Sequence, residues 1–199
     1  MPLQEFTALL ILATAMSFSP GPNTTLSTAI AANYGLRHSM RFVLAVPVGW
    51  VLLLLLCALG VGALITGIPA LRWAIKAVGI GYLLWLAFKL SGSSQLSQAQ
   101  GSQLQVGFVQ GVLLQFVNIK AWLLALTIVA GWVAGQSEFA MRMLVVLPVM
   151  ALYAFSSNLL YACIGAALRQ WLASGKRLLW FNRCMALLLV ITAIWMLRS

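Results

Sequence analysis

Apolar residues run along this chain in six long blocks, at 3–34, 42–66, 69–90, 105–134, 140–168 and 178–197, separated by short polar junctions. Each block meets the length of about 20 residues that a helix needs to cross a hydrocarbon layer of about 30 Å. None shows the alternation over about ten residues that marks a strand of an outer-membrane barrel. The pattern therefore predicts an all-α polytopic membrane protein with six transmembrane helices.

Two of the blocks are interrupted in matching places. Ser19-Pro20-Gly21-Pro22-Asn23 falls late in the first block, and Phe116-Val117-Asn118-Ile119-Lys120 falls in the middle of the fourth. In the first interruption two prolines lack amide donors and a glycine is free to adopt positive φ. The helix is expected to open there, freeing carbonyls near Ala15–Phe18, and to restart beyond Pro22. Unpaired backbone at membrane depth must be buried in protein or line a wet cavity. The new N-terminus near Asn23, Thr24 and Thr25 would offer amide groups and a partial positive dipole to a carboxylate. One proline alone would read as a structural kink. Two prolines about a glycine, matched by a second break, read as a site.

The second interruption has no proline or glycine, and its signal is polarity instead. Gln110, Gln115, Asn118 and Lys120 place four polar groups inside an apolar block. A cation so far from either end costs at least about 2.5–3.5 kcal/mol and marks function by default. Lys120 could hold a substrate carboxylate, or it could lose its proton during a transport cycle. A third polar patch, Asn158 with Ser156, Ser157 and Tyr161, interrupts the fifth block. Helix-to-helix hydrogen bonding explains such a patch as readily as ligand binding does, so Asn158 is the weaker candidate. Paired broken helices in corresponding halves point to a midplane substrate site in a secondary transporter.

The stretch 91–105, SGSSQLSQAQGSQLQ, is polar and uncharged and reads as a flexible cytoplasmic linker. It separates a three-helix unit, 1–90, from a second, 106–199. A unit with an odd number of spans ends on the opposite face, so the second unit is expected to be inverted relative to the first, with broken helices 1 and 4. Trp73 with Lys76 opens the third block and Trp180 with Arg183 opens the sixth, a local echo of the repeat that separate interfacial anchors would also produce. Gly60-Val-Gly62, Gly79-Ile-Gly81 and Gly107-xxx-Gly111 would let helices approach closely. Such faces serve a homodimer as readily as internal packing.

Composition agrees: 63% of residues are hydrophobic and 7% charged, against roughly 25% charged in soluble domains. The net charge of +10 does not imply nucleic acid, because the cations stand singly at block ends. Arg37, Arg41, Lys89, Arg169, Lys176, Arg177 and Arg183 gather at the junctions after blocks one, three and five. The positive-inside rule makes those junctions cytoplasmic and both termini periplasmic. No Lys or Arg precedes the first block, so it reads as a retained span and not as a signal peptide. Glu5 and Glu138 are the sole carboxylates, and both lie at loop ends. Cationic cargo is thereby disfavoured, a neutral, zwitterionic or anionic molecule fits, and a buried carboxylate relay for protons is excluded. Cys57, Cys163 and Cys184 have no metal spacing and are expected to be core residues, with no cofactor implied. A thiol-disulfide electron relay would need a cysteine at each break. A receptor or non-transporting scaffold would need a large soluble loop.

These residues together resemble the LysE/RhtB superfamily of amino-acid exporters over nearly the whole chain. The likeness rests on SPGPN at 19–23, Gly35-Leu-Arg37, Gly81-Tyr-Leu-Leu-Trp-Leu, LLQFVNIK at 113–120 and Asn182-Arg183. QFVN-x-K and the patch near Asn158 resemble the cysteine and O-acetylserine exporter branch. The resemblance implies a bacterial inner-membrane protein, not an enzyme, that exports small neutral amino acids or their metabolites, driven by the proton gradient. Two departures stand out. Ile119 replaces the proline of the family's Asn-Pro-Lys, so a milder second break is expected. An acidic residue of the fifth span is absent, which argues against basic cargo. The site expected from all this comprises Ser19, Pro20, Gly21, Pro22, Asn23, Gln115, Asn118, Lys120 and Asn158. Asn23, the helix terminus beside it and Lys120 would hold a carboxylate. Carbonyls near Phe18 and the Asn118 amide would hold the amine.

Overall fold

Helices end in this protein where the backbone loses donors or needs a left-handed residue. In the computed structural model, which describes residues 1–92, 106–136 and 138–198, α1 (Leu3–Phe18) stops before Ser19-Pro20 and α2 (Pro22–Tyr34) restarts with proline in its first turn. Gly35 ends α2 at φ +86°, a conformation that a side chain disfavours, and its N–H donates to Ala31 O at 2.8 Å. There follow α3 (Leu36–Ala58), the short α4 (Val61–Gly67), and α5 (Pro69–Ser91). Beyond the linker come α6 (Phe108–Val117), α7 (Ile119–Ile128) with a π-helical turn over Val129–Val133, α8 (Phe139–Leu172) and α9 (Arg177–Arg198). Most of the 91–105 linker, residues 93–105, lies outside the described residues.

The six apolar blocks map onto these elements in order. Four helices, α3, α5, α8 and α9, are long and apolar enough to cross a membrane. The α6–α7 pair, bent by 69° at Asn118, is long and apolar enough for a fifth when taken as one broken span. The milder break expected from Ile119 is therefore not what forms. Asn118 takes an extended conformation, φ −91° and ψ 100°, and the carbonyl of Phe116 is satisfied by the Trp122 indole, whose Nε1–H donates to it at 2.7 Å. A side-chain donor substitutes for the lost helical bond, so proline is unnecessary.

The packing is inverted relative to that of a soluble domain. Phe88, Leu144, Leu152 and Leu187 face outward, as a chain solvated by lipid requires. By contrast α2, rich in Thr, Ser and Asn, buries 11 of its 13 residues. It lies along α8, with α3 and α9 flanking it, while α5 packs chiefly on α9. Its polar groups are matched pairwise. Ser27 Oγ donates to Asn158 Oδ1 at 2.8 Å, and the Asn33 and Asn182 amides bond reciprocally at 2.8 and 3.0 Å. At the opposite end Arg142 donates to Glu5 Oε2 at 2.7 Å and to the Trp132 carbonyl at 3.1 Å, which ties α1, the π turn and α8 together. The two Trp–cation echoes are real contacts: Lys76 lies 5.1 Å from the Trp73 ring centre and Arg183 lies 5.4 Å from that of Trp180.

Each expected glycine pair contributes one close approach. Gly62, Gly79 and Gly111 face side chains or backbone of a neighbouring helix, whereas Gly60 and Gly81 face open space and Gly107 meets only Gln110 of its own helix. At Gly79 a Cβ would overlap the carbonyl of Val117, the residue at the end of α6. Gly79→Ala is accordingly expected to lower stability by about 1–3 kcal/mol, since a backbone carbonyl cannot move aside. Gly81→Ala, two residues on, is expected to be neutral or mildly stabilising through helix propensity. Unfolding midpoints of the two purified variants in detergent check this contrast.

Candidate functional site

Seven of the nine expected site residues, all but Pro20 and Gln115, line one cavity of about 50 Å³ where the two breaks meet. A water needs about 10–15 Å³ of such space, so the cavity suits a molecule of a few heavy atoms. Pro20 and Gln115 act from behind it.

The first break holds Lys120. Its ammonium donates to Ser19 Oγ at 2.7 Å, and the Ser19 and Pro20 carbonyls accept from it at 3.4 and 3.5 Å. Those carbonyls follow the C-terminal, negative end of α1, which favours a cation. Gly21 has a role other than the one its sequence suggests. Its φ of −172° is plain extended backbone, so positive φ is not the reason for glycine here. A Cβ would stand 3.3 Å from Lys120 Nζ and 3.5 Å from Lys120 Cδ. The missing side chain is what lets the lysine lie against the chain.

The restart of α2 is capped from within. Gly21 N–H donates to Thr24 Oγ1 at 3.0 Å, and that hydroxyl donates to Gly21 O at 3.1 Å. Asn23 and Thr24 precede the first amide bonded within the helix, that of Thr25 to Gly21 O at 2.9 Å, and their N–H groups are of the kind that helices leave free. The Asn23 side chain is engaged elsewhere than expected. It exchanges two hydrogen bonds with Gln115, Nδ2 to Oε1 at 2.8 Å and the Gln115 Nε2 to Asn23 Oδ1 at 3.1 Å. Gln115 also donates to Gly111 O at 3.0 Å. This pair joins the two breaks and fixes α2 against α6.

Two of the carbonyls expected to be free near Phe18 have protein donors: Ser19 Oγ donates to Met16 O at 2.9 Å and Tyr161 OH to Phe18 O at 2.9 Å. Asn118 Oδ1 differs: it is buried, on a residue that lines the cavity, and has no hydrogen-bond partner in the chain. An acceptor so placed costs about 1–3 kcal/mol until a donor arrives. Asn158 reaches the cavity with its Oδ1 bonded to Ser27 and its Nδ2 bonded to Ala154 O at 2.8 Å. It belongs as much to helix packing as to the site.

The first turns of α2 and α7 border the cavity, as does the last turn of α1, and among the described residues Lys120 is its one charged side chain and no Asp, Glu or His lines it. Two helix N-termini and a cation favour an anionic group. Sequence reasoning did not find the apolar part of the lining, Val46, Trp50, Leu124 and Met150 among others. Its one legible hint is Gly49, beside Trp50, in the Pro47-Val-Gly49 run.

Comparisons with known proteins identify the family of the chain. The family model described as LysE type translocator matches residues 14–199. The chain is 32% identical over 179 residues to a cysteine/O-acetylserine efflux protein of Salmonella typhimurium (strain LT2), covering 89% of this chain and 90% of that protein. It is 31% identical over 185 residues to the protein of the same description from Escherichia coli (strain K12), covering 92% and 91%. A third such protein, from Klebsiella pneumoniae, is 28% identical over 179 residues, covering 89% of each. No solved structure matches the chain. This multi-pass membrane protein belongs to the LysE type translocator family.

Proposed function

We propose that this protein exports a small neutral amino acid, of the cysteine or O-acetylserine kind, across the bacterial inner membrane by alternating access. The observation that carries the reading is the convergence of two helix N-termini, Lys120 and the unpartnered Asn118 Oδ1 on one small cavity without an acid. An α-amino acid supplies the complement of each. Its carboxylate takes the Lys120 ammonium and the N–H groups at the start of α2, and its ammonium donates to Asn118 Oδ1. Lys120 then exchanges a neutral acceptor, Ser19 Oγ, for the charged carboxylate of the substrate. Efflux proteins similar to this one carry cargo of this class by name.

On this reading α1 and α2 together form the first of six spans, and α6 with α7 the fourth, as broken helices of two inverted repeats. One repeat rocks against the other about the Asn23–Gln115 and Lys120–Ser19 contacts, with the 91–105 linker joining them. Export draws on the proton gradient. A thiol relay finds no support, because Cys57 is buried in α3, Cys163 and Cys184 are exposed on α8 and α9, and none lines the cavity.

Uptake of labelled cysteine and O-acetylserine into inside-out vesicles tests the reading. Wild-type protein is expected to give uptake that rises with an imposed pH gradient. Lys120→Met is expected to reduce it by about tenfold or more, as loss of a charge-assisted bond worth about 1.5–3 kcal/mol implies. Wild-type uptake of neither compound would remove the substrate assignment, and full activity of Lys120→Met would remove the role of the lysine. Orientation has its own check. Single cysteines placed at Gln4 and at Arg198, in a background lacking the native three, are expected to react with a membrane-impermeant maleimide on intact spheroplasts. Protection of either until lysis would contradict periplasmic termini.

A further inference from the structure

The polar side of the cavity accounts for the backbone groups of an amino acid but leaves its side chain unassigned. Three helices each add to the lining an apolar pair about one turn apart, and together these six residues form an apolar wall. They are Val46 and Trp50 on α3, Ala121 and Leu124 on α7, and Met150 and Ala154 on α8. Spacings of three and four put both members of each pair on one helix face. All six are buried, and Trp50, the most exposed of them, is only 7% exposed. Their neighbours Val48, Leu52, Leu123 and Leu152 are more than 40% exposed and take the lipid. The six apolar side chains thus point into the protein, toward the cavity.

We infer that this wall is the side-chain subsite and that Trp50 and Met150 set the length of side chain it admits. The inference rests on the export reading and adds to it the group that selects the cargo. Apart from the Trp50 indole N–H the wall carries no polar group, so a charged or strongly hydrated cargo side chain would lose its water with little compensation there. A thiol, a short ester or a short alkyl group is accepted. The depth is limited because Trp50 and Met150, the two bulkiest members, stand in a cavity of only about 50 Å³.

Trp50 cannot retreat. Gly49, the residue before it, packs so tightly on α6 that a Cβ would lie 2.6 Å from Gln115 Cγ and 2.8 Å from the Val112 carbonyl. The same Gln115 is doubly bonded to Asn23 at the polar side of the cavity. One side chain therefore fixes the distance between the groups that hold the backbone of the cargo and the wall that meets its side chain. A cargo one branch too long has nowhere to go.

The test is competition. Uptake of labelled cysteine into inside-out vesicles is measured for the wild type, Trp50→Ala and Met150→Ala, against unlabelled cysteine, leucine and phenylalanine. Surface expression and monodispersity in detergent are checked for each, and the smaller change at Met150 keeps the test available if Trp50→Ala does not fold. In the wild type, leucine and phenylalanine are expected to compete poorly. In either variant the leucine-to-cysteine ratio of competing concentrations is expected to shift toward leucine by about tenfold or more, the scale on which a hydrophobic pocket reads one or two methylenes. Folded variants that transport cysteine with the wild-type competition profile would overturn the inference while leaving the export reading intact. A wild type that takes up none of the series would overturn the export reading, and the subsite with it.

Discussion

The ammonium of Lys120, set on Ser19 Oγ and the carbonyls that follow α1, is the contact on which the rest of the site depends. A lone cation at membrane depth is tolerated only if protein oxygens replace its water. The first break supplies those oxygens, and the lysine in turn satisfies backbone that hydrocarbon could not. Each interruption is thus the condition for the other. Their meeting point becomes a polar cavity within the bundle.

The remaining backbone exposed by the breaks is satisfied with few side chains. Thr24 closes the start of α2, Tyr161 takes the Phe18 carbonyl, and Trp122 takes that of Phe116. Among the described residues one buried side-chain acceptor on the cavity, Asn118 Oδ1, is left without a partner. The Asn23–Gln115 pair holds the two breaks in register while spending the side chain of Asn23 on structure. On the proposed reading, binding falls to helix termini, Lys120 and Asn118. These groups are all preorganised, which reduces what binding must spend on ordering.

Much of this was legible in the chain because membranes make backbone accounting strict. Long apolar blocks give the spans, Ser19-Pro20-Gly21-Pro22 gives the first break, and a lysine in an apolar block gives the second. The less legible features depend on tertiary partners. Ile119 in the place of a proline suggested a gentle distortion, yet the Trp122 indole lets the helix bend by 69°. Gly21 suggested positive φ, whereas its use is to admit the Lys120 stem. Trp50, Leu124 and Met150 are apolar residues in apolar blocks, and nothing in their spacing separates a cavity wall from a lipid face. That distinction requires knowing which helix stands opposite.

The central claim is that the lysine and the first break stabilise one another, and a double-mutant cycle measures this most directly. Unfolding free energies of the wild type, Ser19→Ala, Lys120→Met and the double variant would be compared in the same detergent. Mutual satisfaction predicts a non-additive coupling of about 0.5–3 kcal/mol, as for groups in one hydrogen-bond network. Single-variant effects that simply add would show that Lys120 and Ser19 are neighbours without being partners, and would contradict the account.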